Sequence, residues 1–426
     1  MKVLIISHNP MSTKHSIGKT LLSLFSEFKR EELCQLYIHT GLPERDVCSS
    51  FFRVTDKDVL RGVVTRKVAG KTVEATLPEE APQEVRTEFY KKTYGNAKNR
   101  QPHRELLRDL MWALSPWYNK KLRDWVAQEK PTCIFAAIGS GTFLYKMALK
   151  IAKDFNLPLF TYVCDDFYSL KTPRTLLGPL WKANIVRQTK KLLGRSAAIV
   201  SICQELSDYY QQEFNRPAHT VMTGTNYQVA QAPAVREEVK TIRYFGKVTL
   251  NRYKSIADIC RAIDRLNAQQ GQHYAVEIFC GEPDRETTAE FADIQCAKFC
   301  GFISGQEFEN TFFSSHALLH IEAFDAPSVD RAKYSVSTKI ADSLASGIPF
   351  FAYGPREVAS IGHLLRHQCA VVATAKEELP EKLTELFTDS RLRATLGEKQ
   401  LQTAAQYHDP HKVSQQLYSL LNGGAL

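Results

Sequence analysis

The chain has 426 residues, 44% of them hydrophobic and 24% charged, a globular composition that excludes a disordered, collagen-like or repetitive protein. At about 150 residues per domain, this length predicts two or three domains. The net charge of +9 is unevenly spread, because residues 1–215 hold 33 basic and 22 acidic side chains while residues 216–426 hold 22 and 24. Residues 86–195 alone hold 21 basic and 8 acidic side chains, which suggests that one domain binds an anionic partner.

The sequence predicts a cytoplasmic location. No apolar run approaches the roughly 18 residues of a membrane-spanning helix, and the apolar stretch of the opening MKVLIIS is too short for a signal peptide. Most of the ten cysteines lie inside apolar runs, where a thiol behaves as a small buried hydrophobe. None has the spacing of a zinc ligand set, so we expect reduced thiols and no metal site.

The predicted elements of the first half begin with a buried strand at 2–7 and an amphipathic helix at 18–30, the order in which doubly wound α/β domains begin. Helical periodicity follows at 103–129, where Pro116 interrupts it, and at 142–155. Further buried strands are predicted at 34–40, 133–138, 157–164, 197–203 and 219–224.

A second α/β series follows an aperiodic stretch at 228–239, which we interpret as the linker because it combines Pro, Ala and charges. One helix, at 336–346, runs into the helix-ending Gly347. Strands are predicted at 241–248, 274–281, 300–302, 317–323, 348–354 and 370–374, and the last helices at 377–387, 389–407 and 411–421.

We therefore predict an α/β protein with two Rossmann-like domains that face each other across a cleft, where open parallel sheets bind ligands. The first domain would span 1–228 and the second 229–404, with 405–426 forming a helix that packs back on the first. The first strand is not followed by Gly-x-Gly-x-x-Gly, and the phosphate-loop motif Gly-x-x-x-x-Gly-Lys-Ser/Thr does not occur. A bound NAD or FAD and a phosphate loop are therefore not expected.

The segment YFGKVTLNRYKSI (244–256) carries the first chemical signal. A strand ends at Gly246, Lys247 follows, and Lys254 opens a helix. Two ammonium groups beside a helix N-terminus favour a diphosphate, because both the charges and the free backbone N–H groups attract anions. The alternative is a solvated loop with two surface lysines.

In a second segment, YSVSTKIADSLASGIPFFAYGP (334–355), a helix runs through Ala-Ser-Gly-Ile-Pro into a strand. Together with the Gly-Lys … Lys element and Gly-Phe-Ile at 301–303, it resembles the donor site of GT-B-type nucleotide-sugar glycosyltransferases, specifically glycosyltransferase family four and related bacterial polysaccharide enzymes. The resemblance covers about 130–404 well and the first 30 residues loosely. It implies an acceptor-side first domain, a donor-binding second domain, transfer with retention of configuration, and no metal or other cofactor.

The resemblance also implies roles for individual residues. Lys247 and Lys254 would be catalytic, binding the donor diphosphate and stabilising the departing nucleotide diphosphate. Asp342 would accept hydrogen bonds from the ribose hydroxyls, the alternative being an exposed helix residue. The other donor-binding residues that it implies are Gly18, Gly246, Phe302 and Ile303.

The sequence departs from the family at Tyr334, where the first glutamate of the family's glutamate pair would lie. In the related polysaccharide enzymes a Ser-x-x-Lys element replaces that glutamate, and Ser335, Thr338 and Lys339 fit this variant as donor-binding residues. The departure bears on how the transferred sugar is held.

Asp165 follows the strand at 157–164, and the resemblance places it near the acceptor, where it could steer or deprotonate the acceptor hydroxyl as a catalytic residue. The alternative is that Asp165 and Asp166 cap the next helix. His8 is equally placed after the first strand, where it could also be a packing residue.

The basic segments 98–123 and 174–195 contain tryptophans, and the second has six basic and no acidic residues. They could lie on an anionic membrane surface with Trp at the interface and Lys and Arg towards the headgroups. The alternative is a pair of helices at the rim of the cleft with solvated basic faces. No nucleic-acid-binding motif accompanies the charge, so nucleic acid is not an expected partner.

The sequence thus predicts a cytoplasmic glycosyltransferase, peripheral on the inner face of the membrane. It would move a sugar from a nucleotide-diphosphate sugar to a hydroxyl of a cell-surface glycan or its lipid-linked precursor. The alternatives are a sugar-nucleotide-binding or partner subunit without transferase activity and a sugar-nucleotide epimerase or hydrolase. Nucleotide binding without turnover would support the first, and release of nucleotide diphosphate without an acceptor the second.

Overall fold

The computed structural model describes residues 1–13, 16–75, 102–234 and 238–423. The chain divides into two compact units. The first consists of Met1–Met222 and Val413–Leu426, and the second of Thr223–Lys412.

In the first unit, the described residues form one sheet flanked by helices. Its strands are β1 Val3–Ser7, β2 Leu33–Tyr37, β3 Ser50–Arg53, β4 Lys71–Val73, β5 Cys133–Ile138, β6 Leu159–Val163, β7 Ala198–Ser201 and β8 Ala218–Thr220. Its helices are α1 Ser16–Leu24, α2 Asp56–Thr65, α3 Pro102–Leu114, α4 Lys120–Glu129, α5 Thr142–Phe155, α6 Gly178–Leu193 and α7 Gln204–Phe214.

The sheet of the first unit has the order β4-β3-β2-β1-β5-β6-β7-β8. Its strand pairs are parallel except β3 with β4. In the central register, Val3 lies opposite Leu33 on one side and Cys133 on the other. The central strands are buried along their whole length, as continuous apolar runs covered by helices on both faces require.

The second unit contains the sheet β11-β10-β9-β12-β13-β14, which is parallel throughout the described residues. Its strands are β9 Thr241–Phe245, β10 Ala275–Phe279, β11 Ala297–Phe299, β12 Ala317–Ile321, β13 Phe350–Tyr353 and β14 Val371–Ala373. Its helices are α8 Arg252–Gln270, α9 Arg285–Glu290, α10 Gly305–Phe313, α11 Ala326–Ala332, α12 Thr338–Ser346, α13 Ala359–His367, α14 Leu379–Thr388 and α15 Ser390–Thr403.

The helices of the second unit bury apolar stripes against the sheet. On α8, Ile256, Ile259 and Ile263 recur at helical spacing and join Val276 and Ile278 of β10 in one apolar cluster. A second apolar cluster contains residues of α12 and α13. Helices on both faces leave the ends of the strands as the accessible part of the sheet.

The two Rossmann-like sheets predicted from the sequence are confirmed. Two short strands, Ser50–Arg53 and Lys71–Val73, were not predicted, because strands of three or four residues carry little periodicity. The strand predicted at 300–302 was wrong: the strand occupies Ala297–Phe299, and Gly301, at φ +80, lies in the loop that follows.

The chain passes between the units after Met222 and again after Lys412, whereas the sequence placed the linker at 228–239. The described part of that stretch packs on the second unit, where Ala230 N–H donates to the carbonyl of Ala345 at 2.9 Å. The last helix, α16 Pro410–Leu421, begins in the second unit and ends in the first. There Ser414 Oγ accepts from the Glu27 N–H at 3.0 Å.

Candidate functional site

Gly246 follows β9 directly, at the carboxyl edge of the second sheet, with φ +156. A Cβ atom added there would lie 3.2 Å from the Lys339 ammonium nitrogen and 3.2 Å from Tyr244 Oη. A side chain at this position would therefore displace the lysine. The next loop is also constrained, since Leu250 and Asn251 both have positive φ, at 58° and 56°, a conformation that costs non-glycine residues energy and tends to cluster at functional sites.

Three cations come together around this glycine: Lys247, Arg252 and Lys339. The pKa of Lys339 lies below its ordinary value, first because its ammonium loses hydration among neighbouring groups and then because Arg252 and Lys247 repel its charge. Lys339 as a whole is exposed, as is Lys247, so an incoming anion can reach both. A cluster of cations that raise one another's energy is stabilised when an anion binds.

Lys254, which the sequence paired with Lys247, lies differently. Its ammonium is 5.7 Å from the centroid of the Tyr253 ring, and the side chain is exposed. Arg252 is the cation of this helix that acts on Lys339. Sequence reasoning passed over Arg252, although its place at the first residue of α8 was the available signal.

Arg252 is held by the buried carboxylate of Glu322, the residue after β12. Its Nε and Nη2 donate to the same oxygen, Oε2, at 3.1 and 2.7 Å, and Glu322 is 3% exposed. Burial raises the pKa of Glu322, and the guanidinium opposes that rise. Within the described residues, Arg252 Nη1 makes no hydrogen bond, so this end of the guanidinium can bind a ligand.

His320 lies next to this pair in the neutral form. Its Nε2 is 3.6 Å from Glu322 Oε1 and 3.0 Å from Ser360 Oγ. Burial, followed by the charges of Arg252 and Lys339, lowers the pKa of His320 to about 3. The positive charge of this edge therefore comes from Lys and Arg and does not vary near neutral pH.

Asp342, predicted to bind ribose, lies in α12 and already has protein partners. Its Oδ1 accepts from Thr225 Oγ1 at 3.0 Å and from the Asn226 N–H at 2.8 Å. Asn226 Nδ2 reaches Oδ2 at 3.1 Å. In this structure the carboxylate fastens residues 225–226 to α12, and a ribose would have to share Oδ2.

The other residues of that motif lie at the start of α12. Ser337 caps the helix, its hydroxyl accepting from the Lys339 N–H at 3.4 Å, and Thr338 is the first helical residue. The Ser335 N–H donates to the Ala332 carbonyl at 2.8 Å. Tyr334 lies beside them, with the Lys333 ammonium 4.9 Å from its ring centroid. The motif therefore places polar side chains at a helix N-terminus next to the cations.

Phe302 and Ile303 differ in exposure. The Phe302 side chain is 78% exposed, while Ile303 packs against the apolar cluster of α12 and α13. An exposed ring on a loop that a half-buried neighbour holds in place is suited to stacking on a planar ligand.

The predicted residues of the first unit have mostly local partners. A Cβ at Gly18 would lie 2.4 Å from the Ser12 carbonyl oxygen, so glycine is needed there for the close packing of α1 on the preceding loop. Asp166 Oδ1 accepts from the Tyr168 N–H at 2.8 Å and from Tyr210 Oη at 2.6 Å. Asp165 is exposed beside it.

His8 is part of a hydrogen-bonded group of the first unit. Its Nδ1 lies 3.0 Å from Asn9 Oδ1 and its Nε2 lies 3.4 Å from Arg108 Nη2. Burial and the Arg108 charge lower the pKa of His8 to about 3, so it is neutral near pH 7.

The expectation that tryptophans of the basic segments face a membrane is wrong for Trp112 and Trp181, which are 1% and 8% exposed. Trp112 stacks on Phe143 with centroids 4.4 Å apart and donates its Nε1–H to Asp56 at 2.7 Å. Residues 98–101 of the first basic segment lie outside the described residues.

In the part of the chain that the structure describes, no helix has both the length and the hydropathy that crossing a bilayer requires. Across the same residues, no three His, Cys, Asp or Glu side chains are grouped so that they could hold a metal ion.

Comparison with known proteins finds relatives only at the level of structure: no protein-family model and no curated protein matches the sequence. Anabaena HepE in complex with UDP and glucose superposes with a TM-score of 0.62 at 13% identity, covering 99% of this chain and 100% of that one. Sucrose-phosphate synthase from Thermosynechococcus elongatus superposes with a TM-score of 0.60 at 12% identity, with 99% of each chain covered. A UDP-forming α,α-trehalose-phosphate synthase from Burkholderia xenovorans, in complex with glucose-6-phosphate, gives 0.61 at 9% identity, covering 99% and 100%. The chain therefore has the GT-B fold of these glycosyltransferases, with two Rossmann-like α/β domains.

Proposed function

We propose that the protein is a glycosyltransferase that moves a sugar from a nucleotide-diphosphate sugar to a hydroxyl group. The observation that carries the proposal is the group of Lys247, Arg252 and Lys339 around Gly246, at the sheet edge where Rossmann-like domains bind nucleotides. The similar structures add a donor to test first, because HepE was solved with UDP and the trehalose-phosphate synthase is named as UDP-forming.

In the reaction, the bond between the anomeric carbon and the β-phosphate oxygen breaks, and the nucleotide diphosphate leaves with the electron pair. The acceptor oxygen bonds to the same carbon and loses its proton. Negative charge grows on the departing diphosphate, so fixed cations next to it stabilise the transition state more than the ground state. Lys247 and Lys339 would supply that charge, with Arg252 anchored by Glu322.

The remaining donor contacts are proposed from the same edge of the sheet. Phe302 would stack on the base, with Ile303 holding the loop. Ser335 and Thr338 would contact the transferred sugar or the phosphates at the N-terminus of α12. Asp342 remains the proposed ribose ligand through Oδ2, and Lys254 a secondary contact to the diphosphate.

On the acceptor side, we propose that Asp165 steers or deprotonates the hydroxyl and that Gly18 brings backbone close to the donor. The acceptor would be a cell-surface glycan or its lipid-linked precursor, reached by a cytoplasmic chain peripheral on the inner face of the membrane. By family resemblance, transfer would retain configuration and use no metal, since lysine and arginine take the charge-neutralising role at the diphosphate.

Binding of nucleotides tests the donor site directly. UDP, GDP, ADP and CMP would be titrated in a calorimeter and in thermal unfolding, where a ligand of the folded state raises the melting temperature. We expect one diphosphate to bind to wild type and much more weakly to Lys339→Ala, with Lys240→Ala as control. Lys240 is exposed and lies just before β9, at the opposite edge of the sheet. Absence of nucleotide binding would overturn the proposal.

Turnover separates the transferase from its alternatives. The protein would be incubated with the matching nucleotide sugar, with and without a panel of sugar and glycan acceptors. Release of nucleotide diphosphate that requires an acceptor supports the proposed function. Release without any acceptor identifies a hydrolase, and tight binding without release identifies a binding subunit.

A further inference from the structure

The chain that follows the first crossing between the units is fixed to the second unit at two points. The Thr225 N–H donates to the His408 carbonyl at 2.8 Å, and the Thr223 carbonyl lies 2.9 Å from His408 Nδ1. Two residues further on, the Tyr227 ring packs edge-on against Phe313, with the ring centroids 4.9 Å apart. The backbone between these two anchors is therefore held in place.

This anchored stretch supplies several hydrogen-bond donors to the carboxylate of Asp342 on α12. Oδ1 accepts from Thr225 Oγ1 at 3.0 Å and from the Asn226 N–H at 2.8 Å. The side-chain amide of Asn226 bridges both carboxylate oxygens, with Nδ2 at 3.2 Å from Oδ1 and 3.1 Å from Oδ2. Three of these contacts fall on Oδ1, whereas the contact to Oδ2 comes from the Asn226 amide.

These donors differ in how easily they can leave the carboxylate. Thr225 is 3% exposed, and its hydroxyl also accepts from the Tyr227 N–H at 3.1 Å, so it stays on Oδ1. The Asn226 N–H belongs to the anchored backbone and stays as well. The Asn226 side chain is exposed, so its amide can rotate into water and exchange one hydrogen bond for another at little cost. Oδ2 is therefore the oxygen that can be released while the backbone keeps its anchors.

The chemistry of the carboxylate determines what can replace the amide. Asp342 lies close to the cations of the candidate site, since its charge attracts the Lys339 ammonium. A ligand that displaces the amide must itself donate hydrogen bonds, because an ionised carboxylate only accepts them. A ribose supplies two adjacent hydroxyl donors, whereas the oxygens of an ionised diphosphate are acceptors. The ribose is therefore the part of a nucleotide diphosphate that can take the place of the amide.

We propose that the side-chain amide of Asn226 is a specificity-determining latch on Asp342. It occupies Oδ2 in the free protein and gives way to a ligand whose hydroxyl groups replace its hydrogen bond. The inference rests on the proposed function, because it takes Asp342 as the ribose ligand. It adds that ribose binds in competition with a side chain of the protein, so that a nucleotide without ribose hydroxyls leaves the latch closed and gains nothing from Asp342.

The experiment is calorimetric titration of the full-length wild type and of Asn226→Ala with UDP, GDP and ADP, with their 2′,3′-dideoxy counterparts, and with inorganic pyrophosphate. Asn226→Ala should bind the preferred ribonucleotide about three- to tenfold more tightly, because the competing hydrogen bond is gone. Its affinity for the dideoxy form and for pyrophosphate should stay within about twofold of wild type, since neither ligand displaces the amide. The melting temperature should be unchanged, because the side chain that is removed is exposed.

Two further variants separate the latch from a general effect of losing an amide. Gln272→Ala is the matched control, because it removes an exposed side-chain amide just before β10, at the opposite edge of the same sheet, and should leave every affinity unchanged. In an Asp342→Ala background, Asn226→Ala should no longer tighten ribonucleotide binding, since the latch then has nothing to hold. A gain of the same size without Asp342 would overturn the proposal.

The remaining outcomes distinguish failure of the latch from failure of the proposed function. Equal ribonucleotide affinity in wild type and Asn226→Ala overturns the latch alone, and so does weaker binding by the variant, which would make Asn226 a support for Asp342. Tightening of the dideoxy form and of pyrophosphate by the same factor as the ribonucleotide also overturns it, because the effect would then not depend on ribose. If neither protein binds any nucleotide or pyrophosphate, the donor site fails and the latch fails with it.

Discussion

The carboxyl edges of the two sheets differ in how their charges are balanced. In the second unit, Arg252 is paired with the buried carboxylate of Glu322, and the carboxylates of Asp342 and Glu322 both attract the Lys339 ammonium. Asp342 is also hydrogen-bonded by neutral donors and the backbone. Three cations, Lys247, Arg252 and Lys339, thus stand against these two carboxylates. Loss of hydration, followed by repulsion from Arg252 and Lys247, lowers the pKa of Lys339. A bound anionic ligand would neutralise the remaining positive charge.

In the first unit, the cation Arg108 lies at the carboxyl edge of the sheet and is paired with Asp56. Arg108 donates from Nε and Nη2 to the two oxygens of Asp56 at 3.1 and 3.0 Å, and both side chains are about a tenth exposed, at 10% and 11%. The guanidinium carbon also lies 4.6 Å from the centroid of the Phe143 ring. At this position the guanidinium is neutralised by a carboxylate of its own, unlike the three cations around Gly246, which stand against two carboxylates.

The comparison shows that net charge does not locate an anion site. Residues 1–215 hold 33 basic and 22 acidic side chains, yet Arg108 at their sheet edge is paired with Asp56, and exposed basic residues lie on surfaces such as α6. Residues 216–426 have 22 against 24, yet they hold the crowded cations. Crowding of like charges at one place, and not the net charge of a region, favours the binding of an anion.

The largest effect expected is from removing the two anchored arginines, one in each unit. Arg252→Ala leaves Glu322 buried without its partner and Arg108→Ala does the same to Asp56, so each should lose about 3–5 kcal/mol in the free energy of unfolding. Only Arg252→Ala should also abolish binding of nucleotide diphosphate at temperatures where the variant is folded. Urea unfolding and calorimetric titration measure the two effects; equal weakening of nucleotide binding in both variants would break the comparison.

The next effect concerns turnover. Lys247→Ala and Lys339→Ala should each slow the reaction by about two orders of magnitude, since each removes about 2–4 kcal/mol of transition-state stabilisation. Lys254→Ala should cost less, because its ammonium lies over Tyr253. Lys240→Ala serves as the control. These losses are measured as initial rates at saturating donor. A larger loss of rate in Lys254→Ala than in Lys339→Ala would support the sequence prediction that Lys247 and Lys254 bind the diphosphate together.

Acid should destabilise the second unit before the first. Burial lowers the pKa of His320, His363 and His408 to about 3, 2 and 4. Among the described histidines of the first unit, burial lowers the pKa of His8 to about 3 and that of His219 below its ordinary value. A neutral buried imidazole stabilises the fold above the unfolded pKa of about 6.5. That contribution is lost as the pH falls from 6.5 towards the folded value, by about 2 kcal/mol per group at pH 5.

Hydrogen exchange at pH 7 and pH 5 measures this difference unit by unit. His408→Gln should make the stability of the second unit less dependent on pH, because it removes one buried imidazole that must be protonated in acid. The His408 and His363 Nε2 atoms also lie 3.2 Å apart, so two protonated rings would repel each other. His273→Gln, at an exposed position, is the matched control. A larger increase of hydrogen exchange in the first unit than in the second, on going from pH 7 to pH 5, would contradict this expectation.

The smallest effect is at Gly246. Gly246→Ala should lose about 1 kcal/mol of stability for its positive φ and weaken nucleotide binding about fivefold, because the Cβ would push the Lys339 ammonium away from 3.2 Å. Gly271→Ala is the matched control, with φ +60 and open space around the Cβ. It should carry the same backbone cost and leave nucleotide binding unchanged. A fivefold loss of nucleotide affinity in both variants would show that displacement of Lys339 is not the cause.

The sequence alone determined most of the fold. Apolar runs such as 133–138 and the periodic stretch 142–155 correspond to β5 and α5 with the same bounds, because a buried parallel strand and an amphipathic helix each impose a pattern on adjacent residues. The short strands β3 and β4 were missed, since three or four residues carry little periodicity. Helix α12 and the turn at Gly347 were likewise predicted, although the helix, predicted at 336–346, begins at Thr338 in the structure.

Which side chains share the site was decided only by the tertiary structure. Arg252 and Lys254 are two residues apart on one helix, so they point about 200° apart around its axis and cannot both face Gly246. The sequence identifies a basic helix start but not which residue faces the sheet edge. Glu322 likewise becomes visible as the anchor of Arg252 only when β12 is paired beside β9. Local pattern determines the elements, whereas the direction of each side chain follows from how the elements pack, and that packing joins residues 70 positions apart in the chain.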